Sequence, residues 1–470
     1  MYFQQYYLQC LSHASYLIGD TTTGRAVVVD PQRDVSQYLA DARAHGLRIE
    51  AVLETHFHAD FLSGHLELAE ATGATIWFGE PAKERAEFPI RTFADRDEMS
   101  LGDVTIVALA TPGHTPESTS YVVYERAGDL PDGRAPYGVL TGDTLFIGDV
   151  GRPDLLASFG VTAEQLARML YHSLHQQLMT LPDETRVFPA HGAGSACGKN
   201  LSTETVSTIG EQRRHNYALA PMSEEAFVAA VTEGQAAAPL YFAFAANKNR
   251  LTRERLDEDA HVPAMSMDDV LEAQHAGAVV VDTRSDQDFE IGHLTGSVNV
   301  GLSGRFAEYT GEVVQPNTPI VLVADPGGEA EARVRLARIG FDTVVGHLAD
   351  PVRAFLDRPD TVERSSRLTV AEFEARRREV PDLQIVDVRG PGETARGVIP
   401  GAVLVQLPTL VTRLDQLSRR APTVVYCAGG YRSSIASSTL RANGFGDVSD
   451  IRGGFTAWEA AGNHPAAPPA

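Results

Sequence analysis

The chain is poor in cysteine and tryptophan, with three residues of the first and two of the second in a length of 470. Its cysteines, Cys10, Cys197 and Cys427, are odd in number and far apart. They fit thiol chemistry in a reducing cytoplasm better than a disulfide framework. The sequence also lacks a membrane-length apolar run, and its first residues lack the pattern of a secretory signal. We therefore expect a cytoplasmic protein.

Basic residues are scarce relative to acidic ones, with 40 Lys and Arg against 62 Asp and Glu and a formal net charge of -22. Because nucleic acids and anionic membranes are themselves negatively charged, this balance argues against both as partners. The length exceeds what one hydrophobic core supports, so we expect about two to four domains.

Residue types that bind metals are concentrated in the segment 54–65, which contains His56, His58 and Asp60. The apolar residues 51–53 before it predict the end of a buried strand, and residues 66–72 predict the start of a helix. Alternate residues of an extended segment face the same way, so these three side chains share one side of the loop. A polar loop with incidental histidines is the alternative, which the partners further along the chain disfavour.

Three further candidate ligands each follow a short apolar run: His114 in Pro-Gly-His, Asp143 in Gly-Asp, and His191. In this order, the HxHxD motif, the PGH, the GD and the final histidine resemble the metallo-β-lactamase superfamily. The resemblance covers roughly the first half of the chain. It implies an αββα sandwich, which we expect over residues 1–250 together with a C-terminal helical extension.

Phe61 departs from the superfamily's fuller HxHxDH motif, whose last histidine helps to hold a second metal. Phenylalanine cannot ligate, which disfavours a hydrolytic site with two zinc ions. Two histidines and one carboxylate with open positions suit non-haem Fe(II) and oxygen chemistry. In this the chain resembles the persulfide dioxygenases, which implies one Fe(II) per chain, held by His56, His114 and Asp143.

The same resemblance implies supporting roles for other side chains near the metal. His58, Asp60 and His191 would orient the ligands and hydrogen-bond the substrate. Arg152 is a candidate for ordering the pocket. Cys197 lies in a loop of small residues, and we interpret it as a thiol that receives or holds sulfane sulfur, with a small buried core residue as the alternative.

The remainder of the chain contains an internal repeat about one small domain long. Residues 279–284 match residues 384–389, and residues 340–341 match residues 444–445. Alternation of strands and helices predicts a parallel sheet in each copy.

The repeat resembles the rhodanese family, through a D-x-R motif, a cysteine loop and a final GG-x-x-x-W at 453–458. The resemblance implies two rhodanese-like α/β domains with parallel sheets. We expect them over residues 264–360 and 366–464, after a linker at 251–263.

The second copy carries the cysteine loop, between a predicted strand and a predicted helix. Backbone N–H groups of a tight glycine-containing loop and a helix N-terminus both stabilise a thiolate. We expect Cys427 to be the nucleophile and Arg432 to be a fixed cation for an anionic donor or acceptor. The residues expected to hold the persulfide are Ala428, Gly429, Gly430, Tyr431 and Ser433. The alternatives are a structural cysteine and a phosphatase, and the loop length favours the sulfurtransferase form.

The first copy has Ala324 at the position of the nucleophile. Asp325 and Glu329 beside it oppose the binding of an anion. We predict that this copy is catalytically inactive.

The full order of domains resembles the fused persulfide dioxygenase–sulfurtransferases. It implies that a small-thiol persulfide is oxidised by O₂ to sulfite, and that Cys427 passes a second sulfane sulfur to sulfite to give thiosulfate, a sulfide-detoxifying reaction. Glutathione, coenzyme A and other carrier thiols stay open. The alternatives are a glyoxalase II-like thioester hydrolase fused to a sulfurtransferase, and a sulfide-sensing module without activity. We also expect a homo-oligomer.

Overall fold

The computed structural model describes residues 1–126, 136–155, 160–199 and 201–469, which fold into two compact units. The first unit comprises Met1–Gln235 with Phe242–Glu258, and the second comprises Ala236–Tyr241 with Asp259–Ala470. The division after residue 258 falls within the segment for which the sequence predicts a linker. No helix in the described part of the chain is long and apolar enough to cross a membrane.

Two six-stranded sheets form the centre of the first unit. Their strands are β1 (Tyr2–Leu8), β2 (His13–Asp20), β3 (Arg25–Val29), β4 (Arg48–Leu53), β5 (Thr75–Gly79), β6 (Arg91–Phe93), β7 (Glu98–Ser100), β8 (Thr105–Ala110), β9 (Thr119–Tyr124), β10 (Gly138–Gly142), β11 (Arg186–Pro189) and β12 (Ser207–Thr208). The first sheet has the order β1-β2-β3-β4-β5-β6, and the second has the order β12-β11-β10-β9-β8-β7.

One core lies between these sheets because alternate residues of each strand point inward. Tyr16, Val27 and Leu53 of the first sheet pack in one cluster with Ile106 and Tyr121 of the second. The other residues of the strands face outward and are covered by helices on both sides. The helices of this unit are α1 (Ser36–Ala44), α2 (His65–Thr72), α3 (Ala163–Gln176), α4 (Ile209–His215), α5 (Glu224–Thr232) and α6 (Phe242–Lys248). This layering confirms the predicted αββα sandwich.

The second unit contains the two copies of the repeat. Its strands are β13 (Ala264–Met265), β14 (Val279–Asp282), β15 (His293–Leu294), β16 (Val298–Asn299), β17 (Ile320–Val323), β18 (Val344–Leu348), β19 (Val362–Glu363), β20 (Ser366–Leu368), β21 (Gln384–Asp387), β22 (Val403–Leu404), β23 (Thr423–Tyr426) and β24 (Val448–Ile451). Its helices are α7 (Met267–His275), α8 (Asp286–Ile291), α9 (Phe306–Val313), α10 (Gly328–Arg338), α11 (Pro351–Asp357), α12 (Val370–Glu379), α13 (Pro391–Thr394), α14 (Tyr431–Ala442) and α15 (Gly454–Ala460).

The two copies have the same sheet topology. The first sheet has the order β13-β18-β17-β14-β16 and the second has the order β20-β24-β23-β21-β22, with every pair parallel. These orders coincide strand for strand, so the repeat read from the sequence is a repeat of topology. The parallel sheets confirm the predicted rhodanese-like architecture of both copies.

Candidate active sites

The candidate metal ligands follow strands of both sheets in the first unit. His56 comes three residues after β4, which is parallel to β3, and Asp143 follows β10, which is parallel to β11. Parallel neighbours end at the same edge of a sheet, so the loops after them lie together. His114 stands in the connection between β8 and β9, and His191 follows β11. The fold therefore gathers these four side chains from four different loops.

His56, His114 and Asp143 converge in the buried interior, with ligand atoms that all lie within 4.8 Å of one another. Asp143 Oδ2 is 3.5 Å from His114 Nε2 and 3.9 Å from His56 Nε2. All three residues are at most 1% exposed. This is the set that the sequence predicts as the metal site.

The outer nitrogens of both histidines are fixed by hydrogen bonds that aim Nε2 at Asp143. His114 Nδ1 donates to the carbonyl oxygen of Arg152 at 2.8 Å, which leaves Nε2 with its lone pair. His56 Nδ1 lies 3.0 Å from Thr55 Oγ1, and that hydroxyl donates to Asp30 Oδ2. The hydroxyl therefore accepts from His56, whose Nε2 is likewise left as an acceptor.

These residues fit a metal ion. His56 Nε2 and Asp143 Oδ2 are buried and have no hydrogen-bond partner among the described residues, a costly state that a bound cation would relieve. Burial and the neighbouring His58 hold the pKa of His56 well below its usual range, so the imidazole is neutral, as a ligand must be. Burial alone would raise the pKa of Asp143, but His191 lowers it, so the carboxylate is ionised.

His191 connects Asp143 to Asp60. Its Nδ1 is 2.7 Å from Asp143 Oδ1, and its Nε2 is 2.7 Å from Asp60 Oδ2. Burial opposes the charged form of His191, but Asp143 and Asp60 raise its pKa well above the usual range. The imidazolium therefore holds the carboxylate of Asp143 in place, the orienting role that the sequence predicts for His191 and Asp60.

His58 points away from the three ligands. Its Nε2 lies 3.0 Å from Asp30 Oδ1 and 3.5 Å from Glu54 Oε2, in a second buried cluster. Burial opposes protonation, but these carboxylates raise the pKa of His58 to about 10. Phe61 is buried beside it, with ring centroids 4.4 Å apart. The second histidine of the HxHxD motif is therefore an ion-pair partner.

Cys197 is buried beside the metal site, within 4.8 Å of ligand atoms of Asp60 and His191. Burial and the nearby carboxylates raise its pKa well above the usual value, so the thiol is protonated. The guanidinium of Arg152 binds Asp154 at 2.6 and 2.7 Å and the carbonyl oxygen of Ala196 at 3.2 Å. Arg152 thus ties the loop of Cys197 to the loop of His114, as a residue that orders the pocket would.

In the second unit, Cys427 lies in the turn between β23 and α14. Gly430 caps the N-terminus of this helix with a φ of 105°, a left-handed conformation that glycine adopts without strain. Its N–H then points back to Cys427 Sγ at 3.1 Å, and Ser433 Oγ is 3.6 Å from the same sulfur. The Gly430 N–H therefore offers a hydrogen bond to a thiolate or persulfide at Cys427, whereas the Ser433 hydroxyl donates to the carbonyl oxygen of Gly430 at 3.0 Å.

The GG-x-x-x-W element at 453–458 holds this turn in place through backbone hydrogen bonds. Phe455 and Thr456 donate their N–H groups to the carbonyl oxygens of Cys427 at 2.7 Å and Ala428 at 3.0 Å. A Cβ at Gly454 would lie 2.3 Å from the Cys427 carbonyl oxygen, so only glycine permits this approach. These hydrogen bonds hold the carbonyl groups of Cys427 and Ala428 toward α15.

Arg432 is not a free cation. Its guanidinium binds Glu393 at 2.8 and 2.6 Å in a bidentate ion pair. The sequence predicts Arg432 as a cation for an incoming anion, but it does not predict this partner. The charge available at the site is therefore set by neighbouring carboxylates.

The D-x-R motif is structural in both copies. Arg389 binds Asp387 and donates to the carbonyl oxygen of Gly397 at 2.8 Å. Arg284 binds Asp282 and donates to Gly292 at 3.0 Å in the first copy. In both copies, the motif holds the following loop in place.

The first copy keeps the turn but lacks the nucleophile. Gly327 caps the N-terminus of α10 with a φ of 89°, as Gly430 caps that of α14, and Ala324 occupies the position of Cys427. The inactivity of this copy stays a prediction.

Several residues of these sites were missed by sequence reasoning. Asp30 carries a detectable signal, because it directly follows the buried strand β3, parallel to the strand before His56. Glu393 has no such signal, because its partner lies 39 residues further along the chain.

Two family models match the chain, a metallo-beta-lactamase superfamily model at residues 8–191 and a rhodanese-like domain model at residues 266–356 and 369–461. Persulfide dioxygenase ETHE1, mitochondrial, of Bos taurus is 30% identical over 45% of this chain and 73% of its own length. The cytoplasmic hydroxyacylglutathione hydrolase of Arabidopsis thaliana is 35% identical over 40% of this chain and 66% of its own length.

A crystal structure of a metallo-beta-lactamase from Staphylococcus aureus subsp. aureus COL is 31% identical, with a TM-score of 0.67. The match covers 74% of this chain and 98% of that chain. The chain spans about half to two thirds of the length of several curated relatives that it matches.

Proposed function

Because the chain belongs to the metallo-beta-lactamase superfamily, as a fusion of a domain homologous to persulfide dioxygenases with two rhodanese-like domains, we propose that it oxidises persulfide sulfur. The substrates are a small-thiol persulfide and O₂, and the first product is sulfite. Cys427 then transfers a second sulfane sulfur to sulfite, giving thiosulfate. The observation that carries this proposal is the convergence of His56, His114 and Asp143 while His58 is held elsewhere.

The donor set suits Fe(II), which when bound would supply open positions for O₂ and for the sulfur of the persulfide. The protein residues hold this set rigid. The carbonyl of Arg152 fixes the ring of His114, and His191 fixes the carboxylate of Asp143. Removing such supporting groups costs metal sites about tenfold to a hundredfold in affinity or activity.

Sulfur transfer needs only thiolate chemistry. The Cys427 thiolate attacks the outer sulfur of a persulfide, the S–S bond breaks, and its electron pair leaves with the carrier thiolate. The sulfur lone pair of sulfite then attacks the outer sulfur on Cys427. The second S–S bond breaks, and its electron pair returns to Cys427. The N–H of Gly430 stabilises the thiolate at both stages.

Thioester hydrolysis is the alternative that the similarity to hydroxyacylglutathione hydrolase raises. Phe61 stands at the position of the histidine that would complete a second metal site, and its ring is buried against His13 at a centroid distance of 3.9 Å. This residue disfavours hydrolysis at a pair of zinc ions.

The metal content tests the first half of the proposal. Protein purified without oxygen should contain about one iron per chain and consume O₂ with persulfides of several small thiols. His114→Ala should lose both the iron and the oxygen uptake, whereas the matched control His175→Ala, on the exposed face of α3, should keep both. Two zinc ions per chain with thioesterase activity would contradict the proposal.

The products test the second half. Wild-type protein should release mainly thiosulfate from persulfide and O₂. Cys427→Ser should still consume O₂, because the ligands of the metal are untouched, but it should accumulate sulfite. Chromatography of both derivatised anions against time measures this. Wild-type yields of thiosulfate from Cys427→Ser, after subtraction of the non-enzymatic reaction, would show that the two halves are not coupled.

A further inference from the structure

The inactive copy contributes a helix, α9, that packs beside the active-site turn of the other copy. Tyr431, the first residue of α14, donates its hydroxyl to the carbonyl oxygens of Gly301 at 2.8 Å and Ser303 at 3.2 Å. Its ring meets the ring of Tyr309 of α9 edge-on, with centroids 5.4 Å apart. The residue next to Arg432 is thus anchored on the inactive copy.

Glu312 of α9 is the unusual residue of this contact. Its side chain is buried, with 5% of the residue exposed, and Oε2 has no hydrogen-bond partner among the described residues. Glu312 stands three residues after Tyr309 on α9, so it shares the helix face that meets Tyr431, the residue before Arg432.

The neighbouring cations are engaged elsewhere. Arg305 Nε binds Glu308 at 2.5 Å, and Arg432 binds Glu393 in the bidentate pair. Burial, followed by the nearby carboxylate of Glu308, raises the pKa of Glu312 to about 8, although Arg305 and Arg432 oppose this shift. Glu312 is therefore neutral at neutral pH and ionises in mildly alkaline solution.

The titratable groups around this position come from several elements. They are Arg305 immediately before α9, Glu308 and Tyr309 of α9, Tyr431 and Arg432 of α14, Glu393 of α13, Arg335 of α10, Asp286 of α8 and Cys427 itself. The 3₁₀ turn Leu407–Thr412 carries no titratable side chain. Because Glu393 already compensates Arg432, ionisation of Glu312 would further lower the positive charge that the guanidinium presents.

We propose that Glu312 of the inactive copy is a specificity-determining residue of the Cys427 site: its proton decides how much positive charge Arg432 presents to an anionic sulfur acceptor such as sulfite. Protonated Glu312 leaves the site open to a dianion. Ionised Glu312 weakens the attraction of the site for a dianion and thereby favours a neutral acceptor. This inference deepens the proposed sulfur transfer and rests on it.

The first test measures the KM for sulfite of the full chain between about pH 7 and pH 9, with a persulfide as donor. Ionising one partly screened carboxylate should raise the KM about threefold to tenfold, with an inflection near the pKa of Glu312. Glu312→Gln should lose the inflection and keep the low KM. Because sulfite itself titrates, each variant is compared with wild type at the same pH. Glu272→Gln, which removes the same charge from an exposed position of the same copy, should behave as wild type.

A second variant keeps the test decisive if Glu312→Gln folds poorly. Glu308→Gln removes the carboxylate that helps to raise the pKa of Glu312 and releases Arg305 from its ion pair. The inflection should therefore move to lower pH. An inflection that stays in place in Glu308→Gln, or one that persists in folded Glu312→Gln, would overturn the proposal.

A readout without turnover separates this proposal from the proposed function. Iodoacetate and iodoacetamide alkylate the same Cys427 thiolate, but the first reagent is an anion and the second is neutral. Mass spectrometry of the Cys427 peptide measures the rates of the two reactions. Their ratio should fall above about pH 8 in wild type and stay constant in Glu312→Gln. A protein that shows this ratio change but transfers no sulfur would refute the proposed function alone. An identical ratio change in both proteins would refute the role of Glu312.

Discussion

Replacing Glu393 by Gln should increase the apparent affinity of the Cys427 site for sulfite. The carboxylate of Glu393 neutralises Arg432 through hydrogen bonds of 2.8 and 2.6 Å. Gln keeps the shape and removes the charge. The guanidinium would then face the turn as an uncompensated cation, and an anionic acceptor would bind more tightly.

The size of the effect follows from the exposure of the pair. A buried charge-assisted pair is worth about 1.5–3 kcal/mol. The side chains of Arg432 and Glu393 remain 23% and 27% exposed, so solvent screening reduces this to about 1–1.5 kcal/mol. Since about 1.4 kcal/mol is a factor of ten, the KM for sulfite should fall about fivefold to tenfold, while kcat changes little.

The assay is steady-state sulfur transfer from a persulfide to sulfite, with transfer to a neutral thiol as the internal reference. Only the sulfite reaction should respond. The repeat supplies a matched control: Asp288 of α8 stands 105 residues before Glu393, in the copy that lacks the cysteine. Asp288→Asn should leave both reactions unchanged. A KM for sulfite that is unchanged or higher in Glu393→Gln would refute the reasoning. Such a result would mean that Glu393 aids sulfite binding by holding Arg432 in position, and that this effect is at least as large as the neutralisation of its charge.

Two further predictions concern other residues. Cys197→Ser should lower oxygen uptake while iron stays bound, because the thiol lies beside Asp60 and His191 at the metal site; unchanged kinetics with several persulfides would make Cys197 a core residue only. Asp325→Ala, in the turn of the inactive copy, should leave sulfur transfer intact, measured with the same donor and acceptor; a folded Asp325→Ala protein without transfer activity would contradict the inactivity of this copy.

The sequence alone was enough for the order of the three domains, and it predicts the three residues that converge at the candidate metal site. Both depend on local patterns, because ligand residues at strand ends and a repeated strand-helix alternation are encoded by neighbours along the chain. The HxHxD segment, the PGH and the GD each stand after an apolar run, and the fold brings those strand ends together. Cys427 was likewise recognised from its own turn.

Only the tertiary structure decided how these groups are charged. His58 is drawn away from the metal set by Asp30, which lies 28 residues earlier, and Arg432 is neutralised by Glu393. Glu312 lies on α9 of the other copy of the repeat, three residues after Tyr309, which contacts Tyr431 beside Arg432. Each effect arises from burial beside a residue distant in sequence. The charge of a group depends on which partners share its low-dielectric surroundings, and no local pattern specifies them.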